Sequence, residues 1–347
     1  MGACRQNPKL KILASGDVHW SGDLDVQARL VANGLDVDPF LAVLQREQIR
    51  FSSSFETDLR FRRKNKTDDV DVSGNAEIAK LHLSMVDIPS IDLQEPLPVS
   101  FRNNTVQLLR SAQFTLPGGA LRVSGFAGPN DMNIDVHGRL ALVLLKLFSD
   151  EIATAEGTAL AELNFKGNPK NVLPTGTLTP MDGAVIVPRS LGRRVEFLGG
   201  SIELAQQLQN ARAPILVAKD LRLGLGGGQA VVSGKVDFSS IDDVQAKSAI
   251  AEWNLNATAT GLIFRFDSGW VEAAGDIKLS GPAAQPVLAG RVEITDGRAT
   301  RHFALRNFVV TSQNDGETKP FAQRLPDSLK NLQLDLNVAV QSFGARA

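Results

Sequence analysis

The chain contains no tyrosine and is poor in aromatic residues and cysteine. Of its 347 residues, 6% are aromatic and one is a cysteine, Cys4. Carbohydrate-binding modules and antibody-like binding sites rely on exposed tyrosine and tryptophan. The three tryptophans, Trp20, Trp253 and Trp270, do not form a stacking series, so the sequence disfavours carbohydrate binding. A single cysteine excludes an intrachain disulfide, so sheet hydrogen bonding and apolar burial must stabilise the fold.

An excess of charge and a long apolar run are also missing. The 37 basic and 38 acidic side chains nearly cancel, which argues against a nucleic-acid-binding role. The most apolar stretch, residues 140–148, contains Lys146 and is far shorter than the roughly 20 residues of a membrane span. No apolar run precedes Cys4, so no signal peptide is visible. We therefore expect any membrane anchor of the intact protein to lie outside this chain.

Motifs of catalysis and of metal or cofactor binding are absent as well. The four histidines are far apart in sequence: His19, His82, His137 and His302. No HExxH, CxxC, GxSxG or P-loop pattern occurs. The acidic pairs at 68–69 and 242–243 consist of adjacent residues, whose side chains point to opposite faces of a strand. The sequence thus predicts no catalytic residue, no metal site, no cofactor and no enzymatic activity.

What the sequence does contain is alternation of apolar and polar residues with a period of two, which is typical of strands with one buried face. The clearest example is residues 332–340, LQLDLNVAV. Shorter examples occur at 70–72, 81–85, 221–225, 262–266 and 292–294. Turn signals lie between them, at Ser73-Gly74, Pro117-Gly118-Gly119, Asp182-Gly183, Gly226-Gly227-Gly228 and Asp296-Gly297. We therefore expect antiparallel hairpins with strands of about eight to ten residues, or roughly 25–33 Å.

Helical pattern is scarce. Residues 38–46 could form one short helix, with Asp38 as the N-cap and Pro39 at its first position. Residues 140–152 could form another, with Leu144, Leu147 and Phe148 on one face. We expect both to cover a sheet rather than to build a separate domain.

A strand-and-turn pattern recurs after about 110 residues, which indicates a repeat architecture. Residues 163–183 and 277–297 each contain the spacing G-x8-G-x5-D-G after an apolar-x-apolar lead-in. A second pair of segments agrees, because residues 118–125 and 227–234 both run from a Gly-Gly pair to Ser-Gly. We divide the chain into a β-rich segment, residues 1–94, and a continuous repeating region, residues 95–347.

The persistent apolar face predicts one of three architectures. A sheet that curls on itself would leave an apolar trough, a sandwich or barrel would close two faces on each other, and a parallel β-solenoid would stack coils. The sequence favours the curled sheet, because few segments could form a second layer. The predicted fold class is therefore all-β, an elongated, curved antiparallel sheet of glycine-punctuated repeating strands with one or two short helices.

The repeat resembles the C-terminal region of the TamB/AsmA-like family. The resemblance rests on residues 275–297, GDIKLSGPAAQPVLAGRVEITDG, and on the earlier copy at 157–183, in which Pro174 precedes Gly176. It extends over residues 95–345 and, more loosely, over the first 95. The family's N-terminal membrane helix and C-terminal tail are not seen, so we expect this chain to be a fragment.

This resemblance implies a periplasmic, taco-like sheet with an apolar groove, anchored in the inner membrane by a segment missing from this chain. It implies transport of phospholipids between the inner and outer membranes, or assembly and secretion of outer-membrane proteins with a barrel partner of the Omp85 type. It provides no catalytic residues.

The expected partners in the groove are phospholipid acyl chains. The candidate groove residues are the apolar members of the repeat strands: Leu163, Phe165, Ile277, Leu279, Val292, Ile294, Leu334, Leu336 and Val338. Ordinary core packing is the competing interpretation for each of them. Two other functions stay open, namely a scaffold that pairs its sheet edges with nascent outer-membrane β-proteins and an adhesin-like structural solenoid.

Overall fold

The computed structural model describes residues 11–20, 24–36, 49–63, 71–85, 88–116, 118–147, 151–169, 172–206, 214–238, 250–266, 269–299, 329, 331–341 and 344–345. The first ten strands are β1 Lys11–Trp20, β2 Leu24–Asp36, β3 Ile49–Arg63, β4 Asp71–Met85, β5 Ile88–Leu93, β6 Leu97–Arg102, β7 Thr105–Leu108, β8 Ala112–Leu116, β9 Gly119–Ala127 and β10 Met132–Ala141.

A 3₁₀ helix, Leu142–Leu147, follows β10. The remaining strands are β11 Ile152–Glu156, β12 Thr158–Gly167, β13 Pro174–Pro180, β14 Val185–Pro188, β15 Val195–Gln206, β16 Pro214–Leu225, β17 Gly228–Phe238, β18 Ile250–Phe266, β19 Gly269–Pro282, β20 Val287–Ala299, β21 Gln333–Val340 and β22 Gly344–Ala345. The prediction of an all-β, mostly antiparallel fold is confirmed, although several strands are longer than expected, with β18 reaching 17 residues.

The helix predicted at 140–152 is shorter and tighter than expected. Leu140 and Ala141 belong to β10, and Ile152 begins β11. The Leu142 N–H donates a hydrogen bond to the Gly157 carbonyl, 3.0 Å away, so the first residue of the 3₁₀ helix is bonded to a residue beyond β11. The helix predicted at 38–46 lies outside the described residues.

The chain divides into two compact units. The first comprises Met1–Leu140 and Glu162–Val172, and the second comprises Ala141–Ala161 and Leu173–Ala347. The boundary that we expected between residues 94 and 95 lies inside the first unit.

In the first unit, β1 to β4 pair in sequence order, all antiparallel. Strand β4 then pairs with both β6 and β5, and β9 pairs with both β7 and β8. The N–H of Leu109 donates to the Pro98 carbonyl and that of Gln94 to the Gln113 carbonyl, so the backbone stays bonded across these strand breaks. Leu97, Val99 and Ala112 form the buried cluster of this unit.

In the second unit, β13 and β14 both pair with β15, and β15 to β20 follow one another antiparallel. Strands β21 and β22 break the expected pattern, because both pair with β20 in parallel. A parallel return needs a crossover of about a dozen residues or more. The chain between Ala299 and Gln333 is long enough to provide one.

Two of the predicted turns are wrong. Gly74 lies inside β4 opposite Leu59, and Asp296 lies inside β20 opposite Glu272. Next to Asp296 the register shifts between Glu272 and Ala273, so this Asp-Gly pair adjoins an irregularity in a continuing strand rather than a hairpin. The other three predicted turns are confirmed, at Gly118, at Asp182-Gly183 and at Gly226-Gly227.

The repeated nature of the strands is confirmed. Strands β9 and β17 each begin after a glycine turn and each carry a glycine with φ of 123°, Gly125 and Gly234. A Cβ on either glycine would overlap a carbonyl of the neighbouring strand, that of Asn133 or Asn254. Both copies therefore need glycine for the same two reasons, a positive φ and a close approach of backbones.

Candidate functional site: an apolar face of the second unit

The strand register of the second unit places apolar side chains of seven neighbouring strands on one face. For example, Leu255 lies opposite Leu279, Leu279 opposite Leu288, and Leu288 opposite Leu334. We call this surface the apolar face. Its large members are Val195, Phe197, Ile202, Leu204, Leu216, Leu221, Leu223, Leu225, Val232, Val236, Trp253, Leu255, Leu262, Phe264, Val271, Ile277, Leu279, Leu288, Val292, Ile294, Leu334, Leu336, Val338 and Val340.

The two faces differ in polarity and in exposure along β18. Trp253, Leu255, Ala257 and Ala259 are half-buried, and every alternate residue from Glu252 to Thr260 is exposed. The exposed series consists of Glu252, Asn254, Asn256, Thr258 and Thr260. This alternation follows directly from the period of two in a strand, so the sequence pattern sets which face is apolar.

At one end, the apolar face is covered by the 3₁₀ helix. Leu142 of that helix is 3% exposed and packs in a buried cluster with Ala184, Phe197, Ala218 and Leu221. The 3₁₀ helix thus supplies the second layer that a sheet needs in order to bury one face.

At the other end, the described residues of the apolar face are exposed. Strand β21 exposes Leu334 by 67%, Val338 by 52% and Val340 by 58%. Between the two ends, the large members on β18 to β20 are half-buried, except Val271, which is buried. Described residues therefore leave an apolar surface that is closed beneath Leu142 and accessible at β21.

Seven of the predicted groove residues lie on this one face. They are Ile277 and Leu279 on β19, Val292 and Ile294 on β20, and Leu334, Leu336 and Val338 on β21. Leu163 and Phe165 lie elsewhere, on the part of β12 that belongs to the first unit, where both are half-buried.

Sequence reasoning missed several members of the face. Phe197 and Leu255 were not selected, although Leu255 lies in an alternating segment that could have identified it, and neither was Leu142, which covers the face. The role of Leu142 had no comparable signal, because cover by a 3₁₀ helix depends on tertiary contacts.

Two polar atoms near this region are buried without a hydrogen-bond partner. They are Nε1 of Trp253, on the apolar face, and Oδ1 of Asp237. The second carboxylate oxygen of Asp237 accepts a hydrogen bond from Nζ of Lys235 at 2.7 Å. This hydrogen bond and the charge of Asp237 raise the pKa of Lys235, so the Lys235 ammonium holds its proton more firmly than a free lysine does.

Among the described residues of the first unit, His82 is the histidine that contacts an acidic side chain. Its Nδ1 lies 2.5 Å from Oδ1 of Asp92, and Ser90 donates to Oδ2 of the same carboxylate at 3.1 Å. The hydrogen bond with His82 lowers the pKa of Asp92. The serine bonds to the carboxylate rather than to the imidazole, so this is not the order of a nucleophilic triad.

The part of the chain that the structure describes contains no cluster of three or more metal-ligating side chains. Within the same residues, none of the helices has the length and hydropathy needed to traverse a bilayer. His19 lies on β1, His137 lies on β10, and the acidic pairs at 68–69 and 242–243 lie outside the described residues, as does His302.

Comparison with protein-family models, with curated proteins and with solved structures finds no match to this chain.

Proposed function

We propose that this chain is part of a periplasmic protein that carries phospholipids between the inner and outer membranes along its apolar face. The observation that supports this most directly is the row of Leu, Val, Ile and Phe side chains across β15 to β21, which is buried beneath Leu142 at one end and exposed on β21 at the other. Exposed apolar side chains that adjoin one another, as Leu334, Val338 and Val340 do on β21, often mark a binding site.

The energetics favour an acyl chain as the ligand. A 16-carbon chain costs about 13 kcal/mol to place in water, at about 0.8 kcal/mol per CH₂. A row of aliphatic side chains offsets much of this cost, while the head group stays in solvent. Because the members of the face are chemically alike, an acyl chain would meet similar contacts from strand to strand and would not be trapped at one deep site.

The proposal includes the partners that the family resemblance implies. The chain would be anchored in the inner membrane by a segment outside residues 1–347, and it would meet an outer-membrane barrel protein of the Omp85 type. Assistance to assembly and secretion of outer-membrane proteins is the accompanying role.

Native mass spectrometry of the chain, purified from a bacterial periplasm without detergent, tests the lipid role. We expect phospholipid to co-purify with the wild type. Ile294→Arg combined with Leu336→Arg places two charges on the apolar face and should remove the lipid from a chain that is still folded by circular dichroism.

A matched control places the same two charges on the other face. Asn256→Arg with Gln333→Arg alters exposed side chains on β18 and β21, and this variant should keep its lipid. Absence of lipid from the folded wild type would refute lipid transport.

A second candidate is a scaffold that pairs a sheet edge with nascent outer-membrane β-strands. Strand β21 favours it, since among the described residues β21 pairs only with β20. Binding of an extended β-strand peptide that survives the Ile294→Arg and Leu336→Arg changes would favour this scaffold over a lipid carrier.

A further inference from the structure

Among the described residues, β21 pairs along one edge only, with β20, and its other edge has a fixed polarity. The N–H of Gln333 donates to the Pro286 carbonyl, and that of Gln341 donates to the Ile294 carbonyl. Backbone groups alternate in direction along a strand, so odd-numbered residues from 333 to 341 direct their N–H and C=O groups toward β20. The even-numbered residues, Leu334, Leu336, Val338 and Val340, direct theirs toward the open edge.

These four residues are also the ones whose side chains belong to the apolar face. Any antiparallel strand that adds to this edge must bond to them, and the side chains it places directly opposite would meet leucine and valine. The edge therefore selects a strand with aliphatic residues at every second position.

Strand β21 lacks three of the features by which proteins protect a sheet edge, namely proline, lysine and a β-bulge. It contains no proline and no lysine, and its register with β20 runs through eight residue pairs without a shift. Three of the seven large apolar side chains that the described residues expose lie on this single strand. Edges of this kind are open to strand addition.

We infer that the occupant of this edge is a second copy of the same chain, paired antiparallel through β21 around a two-fold axis at Asn337. In this register Leu334 lies opposite Val340 of the second copy, and Leu336 lies opposite Val338 of the second copy. All four residues that face outward are then hydrogen-bonded, and the apolar face continues from one copy into the other.

Charge is compatible with this pairing. Asp335 is the only charged residue of β21, and in the two-fold register it lies opposite Ala339 of the second copy. At the axis, two exposed Asn337 side chains meet on the polar face, where amides can bond to each other. The strand is therefore complementary to itself in backbone direction, apolar pattern and charge.

Sedimentation equilibrium of the 347-residue chain tests the inference. We expect a dimer for the wild type. Asn337→Lys and Asn337→Glu each place like charges directly opposite each other and should weaken the dimer about fivefold. An equimolar mixture of the two variants should restore it, because a Lys–Glu pair then forms at the axis.

Position 337 suits this test because its side chain is exposed and lies on the face opposite to the apolar one. A substitution there leaves the backbone pairing with β20 in place. Asn337→Ser is the neutral control and should dimerise as the wild type does.

Disulfide trapping tests the register. In a Cys4→Ser background, Asn337→Cys would bring two thiols together at the axis, where opposed Cα atoms are about 4.5 Å apart and within disulfide reach. Leu336→Cys, which would face valine, should stay uncrosslinked. A monomeric wild type, equal dimerisation of the like-charge variants and the wild type, or crosslinking through position 336 instead would each overturn the inference. If the wild type is monomeric, the strand that adds to this edge belongs to another protein.

Discussion

Two glycines of the first unit, Gly125 and Gly167, have nearly the same backbone conformation but different surroundings. Their φ angles are 123° and 125°. A Cβ on Gly125 would overlap the Asn133 carbonyl, whereas a Cβ on Gly167 would have nothing within 4 Å. The pair thus separates the cost of a positive φ from the cost of steric overlap.

We expect Gly125→Ala to lower the free energy of unfolding by about 2 kcal/mol more than Gly167→Ala. Both variants carry the conformational cost of a non-glycine residue in this region, about 1–3 kcal/mol, but only Gly125→Ala forces β9 and β10 apart. Urea denaturation of both variants measures the difference. Equal losses would show that the sheet adjusts to a Cβ at Gly125.

The hydrogen bond between His82 and Asp92 gives a prediction about pH. Because the pKa of Asp92 is lowered in the folded state, its carboxylate stabilises the fold above its unfolded pKa, and this contribution is lost as the pH falls through the folded value. Carbon-13 titration of Asp92 should therefore give a midpoint below 3.8, and His82→Gln should raise it. The gain in stability is small, since both side chains are about half exposed. An unchanged midpoint in His82→Gln would contradict the assignment.

At the scale of elements, the 3₁₀ helix after β10 should be sensitive to truncation of its buried side chain. Leu142 is almost fully buried against Ala184, Phe197 and Leu221. Leu142→Ala should therefore cost about 2–5 kcal/mol of stability, through lost burial and a residual cavity.

Leu160→Ala is the control for this prediction. Leu160 is 41% exposed on β12, so its truncation should change stability by about 0.5 kcal/mol or less. Chemical denaturation of the two variants gives the comparison. A loss at Leu142 no larger than that at Leu160 would mean that the 3₁₀ helix does not cover the sheet in solution.

At the scale of the whole molecule, ligand binding should raise the thermal stability of the folded chain. A ligand that binds only the folded chain stabilises it by about 2.7 kcal/mol at a free concentration of 100 times its Kd. Monomeric oleate, the probe for an acyl chain, should therefore raise the Tm of the wild type. It should also raise the Tm of the Asn256→Arg and Gln333→Arg control.

The variant with Ile294→Arg and Leu336→Arg should show a smaller rise in Tm, because its apolar face carries two charges. Differential scanning calorimetry over a series of oleate concentrations measures all three chains. An equal rise in all three would place the oleate elsewhere on the molecule.

The sequence by itself determined the clearest strands and which of their residues share a face. Alternation with a period of two is a local property, so segments such as residues 332–340 and 292–294 could be assigned to strands, and Ile277, Leu279, Ile294 and Leu336 to one kind of face, without any knowledge of their neighbours. The glycine turn before β17 was equally readable, since a two-residue turn with positive φ requires glycine or asparagine.

Only the tertiary structure decided which strands meet and what covers them. The parallel return of β21, the position of Asp296-Gly297 inside β20 and the cover of the apolar face by Leu142 all depend on contacts between residues far apart in sequence. An Asp-Gly pair favours a turn, but the pairing of β20 with β19 on both sides of it outweighs that local preference. The alternation that identified β21 does not reveal its pairing partner or its direction in the sheet. The sequence therefore could not show that the backbone groups of its leucine and valine residues face the outer edge.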